Sequence, residues 1–422
     1  MAVGQRAAWA EGTPTFTRDV LPILQEHCQT CHRPGQIAPM SFLDYGSVRP
    51  WAKAIRKAVL NRSMPPFPAA GPIGRFEDDI RLTDEKIATI VSWVEGGGLR
   101  GAAGDAPAPV QWPAHSRQLD DPDLVIEFPA ITSDPLNQDL WAVLYSDHVF
   151  QETTWIESYE LVVSDASLIH HARMAAIDDS YYVPEERILY GAYRNFPRVA
   201  KKDAMEGDFL SEATHLDTWA PGMGVLRRPG GAFRLRAGER ILMKAHIAPT
   251  SEARRTKVSL ALRLAHGELA TRIFRNAIVY KGIEIQPGEA DYTYRGERKI
   301  RGAGWLRSIW VHMHRRGKSV RVLLRYANGE SEEILDIPRW DFDWQRTYHL
   351  STPIPVPPGT VMEAVAVWDN SESNPDNPDP SALVKTGSKT TDEMFIARAY
   401  ISYFRAKPLI FDKGILISGD AE

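Results

Sequence analysis

The stretch SIWVHMHRRGKSVRVLLRY, residues 308–326, decides the fold of most of this chain. It holds two runs, SIWVHMH and VRVLLRY, in which apolar residues recur at every second position, broken by a segment containing Gly317. Period-two alternation is that of a strand burying one face. The same short apolar or alternating runs recur on both sides: LVIEF (124–128), LWAVLY (140–145), YELVV (159–163), FRLRA (233–237), VSLALRLA (258–265), VMEAVAVW (361–368) and FIARAYISYF (395–404). Clusters of Pro, Gly, Asn and Asp separate them, and the one biased segment, NPDNPDP (374–380), reads as a turn-rich loop. This pattern predicts antiparallel, jelly-roll-like sandwiches. About 290 residues of it exceed one sandwich, so two are expected, over 120–268 and 269–408.

Upstream the period changes. TRDVLPILQEHC (17–28) places Val20, Ile23 and Leu24 on one helical face. WAKAIRKAVLNR (51–62) predicts a second helix. A third starts at Thr83, with Asp84 and Glu85 in its first turn suiting the helix dipole, and stops at Gly96-Gly97-Gly98. Residues 14–100 therefore read as a small all-α domain, joined by a Gly-, Ala- and Pro-rich linker (101–119) to the two all-β sandwiches. A multidomain chain suits a length of 422 residues.

A net charge of −4 gives no reason to expect a nucleic-acid or membrane-surface partner. No apolar run of about 18 residues supports a transmembrane helix. The chain has two cysteines, and both lie in the string Cys28-Gln29-Thr30-Cys31-His32. That string supplies two thiols for the vinyl groups of a c-type haem and a histidine, His32, for its iron. Half of a zinc site or a redox dithiol would use the same spacing, but no other cysteine is present to complete a zinc site. Met40, in IAPMSF, and Met64, in RSMPPF, are the candidates for the sixth iron ligand. Met64 follows a helix and precedes Pro65-Pro66, a stiff segment suited to holding a thioether. Small c-type cytochromes, which this region resembles, also often carry their axial Met before a Pro. Covalent haem attachment implies a periplasmic or otherwise exported protein. The opening MAVGQRAAWAEG lacks a signal-peptide core, so the export signal is expected to have been removed.

Among twelve histidines, His170 and His171 are adjacent in SLIHHARM, and His246 lies near the end of RILMKAHI. His312 and His314 alternate in WVHMH, and Met394 sits in TTDEMFIARAY. Histidines two apart on a strand share a face and can chelate one ion. Adjacent histidines point to opposite faces, so His170 and His171 need a bulge or a strand end to share one. Imidazole suits copper or zinc, and a thioether favours copper.

On these residues the second part of the chain, roughly 120–408, resembles the copper type II, ascorbate-dependent monooxygenases, the family of peptidylglycine-hydroxylating and dopamine β-type enzymes. The resemblance implies two sandwiches with one copper each. His170, His171 and His246 match the ligands of the first, and His312, His314 and Met394 those of the second. WAPGM (219–223) and DNSESNP (369–375) fit the same pattern. The animal enzymes are rich in disulfides and this region has no cysteine, which suggests a bacterial-type member. Where the peptide-amidating branch carries Arg, Asn and Tyr to bind a peptide carboxylate, this chain has Trp310, Ile396 and Arg398. A peptidylglycine substrate is therefore not expected, and Trp310 and Ile396 suggest a more apolar pocket. His27, His115, His148, His215, His266 and His349 match no ligand position, and of these His215, in ATHLDTWAPGM, is the one expected to contact the substrate or support a ligand.

The resulting expectation is an exported monooxygenase that hydroxylates a C–H bond of a small organic substrate with O2. Dioxygen would be activated at the centre of His312, His314 and Met394. The fused haem would pass single electrons from an external donor, ascorbate-like or a redox protein, to the copper of His170, His171 and His246. The competing expectations are a non-catalytic periplasmic electron carrier or copper-binding protein, and a haem protein whose β domains bind a carbohydrate or a protein partner.

Overall fold

The computed structural model describes residues 12–77, 79–112, 118–137, 140–192, 214–221, 223–227, 231–387 and 389–418. The chain forms two compact units, residues 1–67 with 80–111, and residues 68–79 with 112–422.

Among its described residues the first unit is built of helices. A π-turn, Phe16–Val20, runs into α1 (Leu21–His27), followed by α2 (Tyr45–Val48), α3 (Ala52–Leu60) and α4 (Asp84–Glu95). The Thr83 hydroxyl accepts the Lys86 N–H at the start of α4, satisfying one of the donors a helix N-terminus leaves over. After α4, Gly97 and Gly98 adopt φ of 90° and 67°, a conformation that stops a helix cheaply only in glycine. Phe16, Val20, Leu24, Val48, Val59, Ile90 and Trp93 form the core, with Cys28 and Met40 packed against it.

The first unit is not the continuous 14–100 stretch expected from sequence, because residues 68–79 belong to the other unit. Several of their backbone groups pair there. Ala70 N–H donates to the Asp336 carbonyl (2.7 Å), Glu77 N–H to that of His349 (2.8 Å), and Ser351 N–H to that of Arg75 (3.0 Å). Phe76 is buried against Tyr348, with ring centroids 5.3 Å apart.

The second unit is organised by a ten-stranded sheet. Its path is Leu124–Glu127, Val258–Leu264, Thr154–Val163, Gly231–Leu235, Gly267–Tyr280, Phe395–Asp412, Gly304–His312 and Thr347–Val356, with Leu226–Arg227 and Ile415–Ser418 paired alongside. A five-stranded sheet runs Ile188–Ala192, Leu140–Val149, Arg240–Ile247, Ile169–Ile177, Thr214–Trp219. A four-stranded sheet runs Tyr292–Lys299, Val361–Trp368, Gly317–Arg325, Ser331–Ile337. Each alternating run read from the sequence falls mostly on one of these strands.

Alternation decides the packing. Leu140, Ala142 and Leu144 join Met174, Met243, Ile156, Tyr159, Leu260 and Leu262 in the core between the five-stranded sheet and the first half of the long sheet. Trp310, Ile396 and Tyr400, from the second half, extend the same core. Their neighbours in sequence point the other way, where Phe395 meets Trp368 (6.0 Å) and Tyr294 (5.7 Å) of the four-stranded sheet. The expected boundary at 268/269 is thus the start of the strand Gly267–Tyr280, not a linker. That strand pairs in parallel with Gly231–Leu235 at Thr271↔Gly231 and Arg272↔Ala232, so one sheet carries both sandwiches.

Gly304 sits where a Cβ would come within 2.4 Å of the Ser402 carbonyl on the neighbouring strand. Gly304→Ala should cost the β-rich unit about 1–3 kcal/mol, read as a lower denaturation midpoint beside an unchanged helical transition.

Candidate metal centres

His170, His171 and His246 come together through one irregularity in strand pairing. Arg240–Ile247 pairs with Ile169–Ile177 in regular antiparallel register as far as His246↔His171, and the next pair is Ile247↔Ile169. His170 is left over as the bulged residue, which turns its side chain to the side occupied by its neighbour. The three rings then form a nearly equilateral set, with centroids 5.4, 5.3 and 5.3 Å apart. One nitrogen from each lies within 4.8 Å of the other two, and this is the one such His/Cys/Asp/Glu cluster among the described residues. The Nδ1 atoms of His170 and His171 are 3.2 Å apart, close to the about 3.3 Å expected for two imidazoles sharing a tetrahedral ion at about 2.0 Å.

Trp141 stacks on His246 (4.4 Å, 10°), and the Lys244 ammonium lies over the same indole at 4.7 Å. Burial, reinforced by the other imidazoles, holds His170 below its ordinary range and His171 well below it. These two rings are neutral at pH 7 and present lone pairs.

The second pair lies at the end of Gly304–His312. His312 is the last strand residue and His314 lies just beyond it. Their rings are 5.0 Å apart, so the expected shared face is achieved partly outside the strand. Each ring is oriented through Nδ1. That of His312 meets the Gln345 side-chain oxygen (2.5 Å), and the Gln345 amide nitrogen donates to the Phe342 carbonyl (2.9 Å). That of His314 meets the Asp392 carbonyl (3.1 Å). Both partners are acceptors, so Nδ1 carries the proton in each ring and Nε2 holds the lone pair. Burial pushes His314 down to about 4 and His312 well below its usual range.

Met394 is tied to this pair through Glu393, which is fully buried. The Glu393 carboxylate accepts the backbone N–H groups of His314 (2.9 Å), Arg316 (2.7 Å) and Met394 (3.3 Å), and the indole N–H of Trp368 (2.9 Å). Burial pushes its pKa up to about 7 against the pull of these donors. Arg316, also buried, donates to the Asn370 side chain (2.7 Å) and to the carbonyls of Thr391 (2.7 Å) and Asp379 (3.1 Å). The DNSESNP segment is therefore a brace behind the site. Trp219, Ala220 and Met223 of WAPGM are core residues.

Sequence reading missed Gln345 and Arg316, and quoted Glu393 in its motif without giving it a role. Gln345 lies 33 residues from the ring it holds, and no local signal marks such a partner. Trp310 and Ile396 share the His312 face, since Trp310 pairs with Arg398 and His312 with Ile396 across the ladder. Trp310 stacks at 8° to His312, and the guanidinium groups of Arg398 and Arg173 lie 4.7 and 5.4 Å from its ring centre. The surroundings of His312 are thus aromatic and cationic rather than simply apolar.

Of the remaining histidines, His27 contacts the Ile80 carbonyl, His148 packs edge-on to Phe150, His266 faces Asp123, and His349 is buried. His115 and the side chain of His215 lie outside the described residues.

In the helical unit, the His32 ring stacks on Phe42 (4.1 Å, 3°), and its Nδ1 faces the Met40 carbonyl (3.3 Å). The Met40 side chain packs against the helical core. The Met64 side chain is 39% exposed. Burial pushes the Cys28 thiol up to about 12.

No family model and no curated protein matches the chain. Solved structures similar to it include the major capsid protein P2 of bacteriophage PM2, at 9% identity over 66% of this chain and 99% of that one, TM-score 0.21. PBCV-1 VP54 follows at 7% over 70% and 98%, TM-score 0.24, and allantoicase at 11% over 62% and 84%, TM-score 0.16. Likeness at this level carries no argument about family, partner or activity. No described helix is long and apolar enough to cross a membrane.

Glu393→Gln keeps the shape but turns a donor toward N–H groups. It should cost about 2–4 kcal/mol, measured by denaturation, and displace the His314 and Met394 backbone signals in NMR spectra.

Proposed function

We propose that this chain is an exported copper-dependent monooxygenase that hydroxylates a small organic substrate with O2 and carries its own c-type haem as one-electron donor. The observation that carries the reading is the convergence of two donor sets in one unit, a trio of imidazoles and a His-x-His pair braced to a Met segment by Glu393. Three imidazoles suit copper or zinc; two imidazoles with a thioether favour copper. Bound there, copper supplies one-electron exchange and the activation of dioxygen.

The chain's own residues supply the rest. His171, His312 and His314 are kept neutral by burial, so no proton has to be displaced from them at pH 7. Gln345 and the Asp392 carbonyl aim the second pair through Nε2. The Trp141 and Trp310 indoles cover one face of a ligand ring in each set and exclude water from it.

For the haem, the fitting observations are the thiol pair and the His32 ring. The Met40 carbonyl fixes the proton on Nδ1 and leaves Nε2 for iron. A thiol raised to about 12 is a poor thiolate, which disfavours a redox dithiol. Met64, ahead of Pro65-Pro66, is the proposed sixth ligand, with Met40, packed against the helical core, as the alternative. The haem is proposed to feed the trio of His170, His171 and His246.

Two measurements test this reading. Protein matured with covalent haem and loaded with copper should hold two coppers per haem, falling to about one in His171→Ala and in Met394→Ala, with copper-dependent oxygen uptake in the parent. One haem with no specific copper would end the monooxygenase reading. Separately, Met64→Leu should convert a low-spin haem spectrum to high-spin while Met40→Leu leaves it unchanged; the reverse result would move the ligand to Met40.

A further inference from the structure

Residues 340–345 touch both donor sets. Gln345 holds His312 through Nδ1, and the Trp340 indole donates to the His314 carbonyl (3.1 Å). On the other side the Asp343 carboxylate lies 3.8 Å from Nε2 of His170. The loop is internally braced. Asp343 N–H donates to the Asp341 carboxylate (2.9 Å), Trp344 N–H to the Asp341 carbonyl (3.3 Å), and the Gln345 amide to the Phe342 carbonyl (2.9 Å). Gly317 makes room for it, since a Cβ there would come within 2.5 Å of the Trp340 ring.

The loop imposes opposite proton placements on the two sets. At 3.8 Å the Asp343 carboxylate acts on His170 through its charge rather than a hydrogen bond and favours a proton on Nε2, while the Nδ1 atoms of His170 and His171, 3.2 Å apart, share a hydrogen bond that an ion would replace. An amide oxygen accepts only, so Gln345 keeps the proton of His312 on Nδ1 and leaves Nε2 to an ion. An ion on His312 makes its Nδ1–H a stronger donor, tightens the contact to Gln345, and orders the braced loop that carries Asp343. An ordered Asp343 in turn holds His170 in its binding tautomer.

We infer that the 340–345 loop couples the two centres, so that loading one raises the affinity of the other, with Asp343 and Gln345 as positioning residues. The inference rests on both centres taking copper. By linkage the effect is reciprocal.

The test is a titration of the full haem-bearing chain with copper(I) against a chromophoric chelator, with the copper(II) resonance spectrum of the trio as a second readout. Met394→Leu, which weakens the second centre, should lower the affinity of the trio by about five-fold or more. In an Asp343→Asn background the same substitution should change nothing further, and Asp343→Glu should restore the effect. Asp343 is 58% exposed on its side chain, so its variants do not threaten folding. Gln345→Leu, read in the same way, should also uncouple the centres. A trio affinity indifferent to Met394→Leu, or coupling that survives both loop variants, would overturn the inference while leaving a two-copper protein intact. Absence of copper from both centres would instead remove the metal reading itself, and this inference with it.

Discussion

A single buried carboxylate holds the second candidate centre together. Glu393 gathers the N–H groups of His314, Arg316 and Met394 and the indole of Trp368, joining the exit of the strand Gly304–His312 to the approach of the strand Phe395–Asp412. A carboxylate with no solvent is costly unless nearly every acceptor position is used, and here four donors use it. The same four bonds fix where His314 and Met394 leave the backbone. Arg316 extends the constraint to Asn370, Thr391 and Asp379, so the loops behind the centre cannot shift independently of it.

The first centre depends on register instead. A regular ladder would put His170 and His171 on opposite faces, and one extra residue opposite His246 brings both to the same side. The bulge is affordable at a strand start, where few ladder bonds are disturbed. Around both centres the same device recurs: an indole parallel to a histidine with a cation over the indole, Lys244–Trp141–His246 in one and Arg398–Trp310–His312 in the other. The indole excludes water, and for His312 the Arg398 charge adds to burial in disfavouring protonation.

The long sheet sets the relation between the centres. Because Trp310, Ile396 and Tyr400 turn into the core of the first sandwich, the His312 face of the second half looks toward the strand that carries His170. The β-sandwich pattern read from the sequence is present, but the strand Gly267–Tyr280 runs the two halves into one sheet, and Arg173 can reach the Trp310 ring across the junction.

What the sequence determined by itself is what covalent spacing and side-chain period govern. Cys28-x-x-Cys31-His32 places thiols and imidazole on adjacent turns, period-two runs give strands, and Thr83 with Gly96–Gly98 brackets α4. The need for a bulge or strand end at His170-His171 also follows from period alone. What only the tertiary structure decided depends on partners distant in the chain. Gln345 meets His312 across 33 residues, and Glu393 meets His314 across 79. Residues 68–79 leave the helical unit for the edges of strands more than 250 residues away. No local period encodes such pairings, because they follow from sheet register and from the requirement that every buried polar group find a partner.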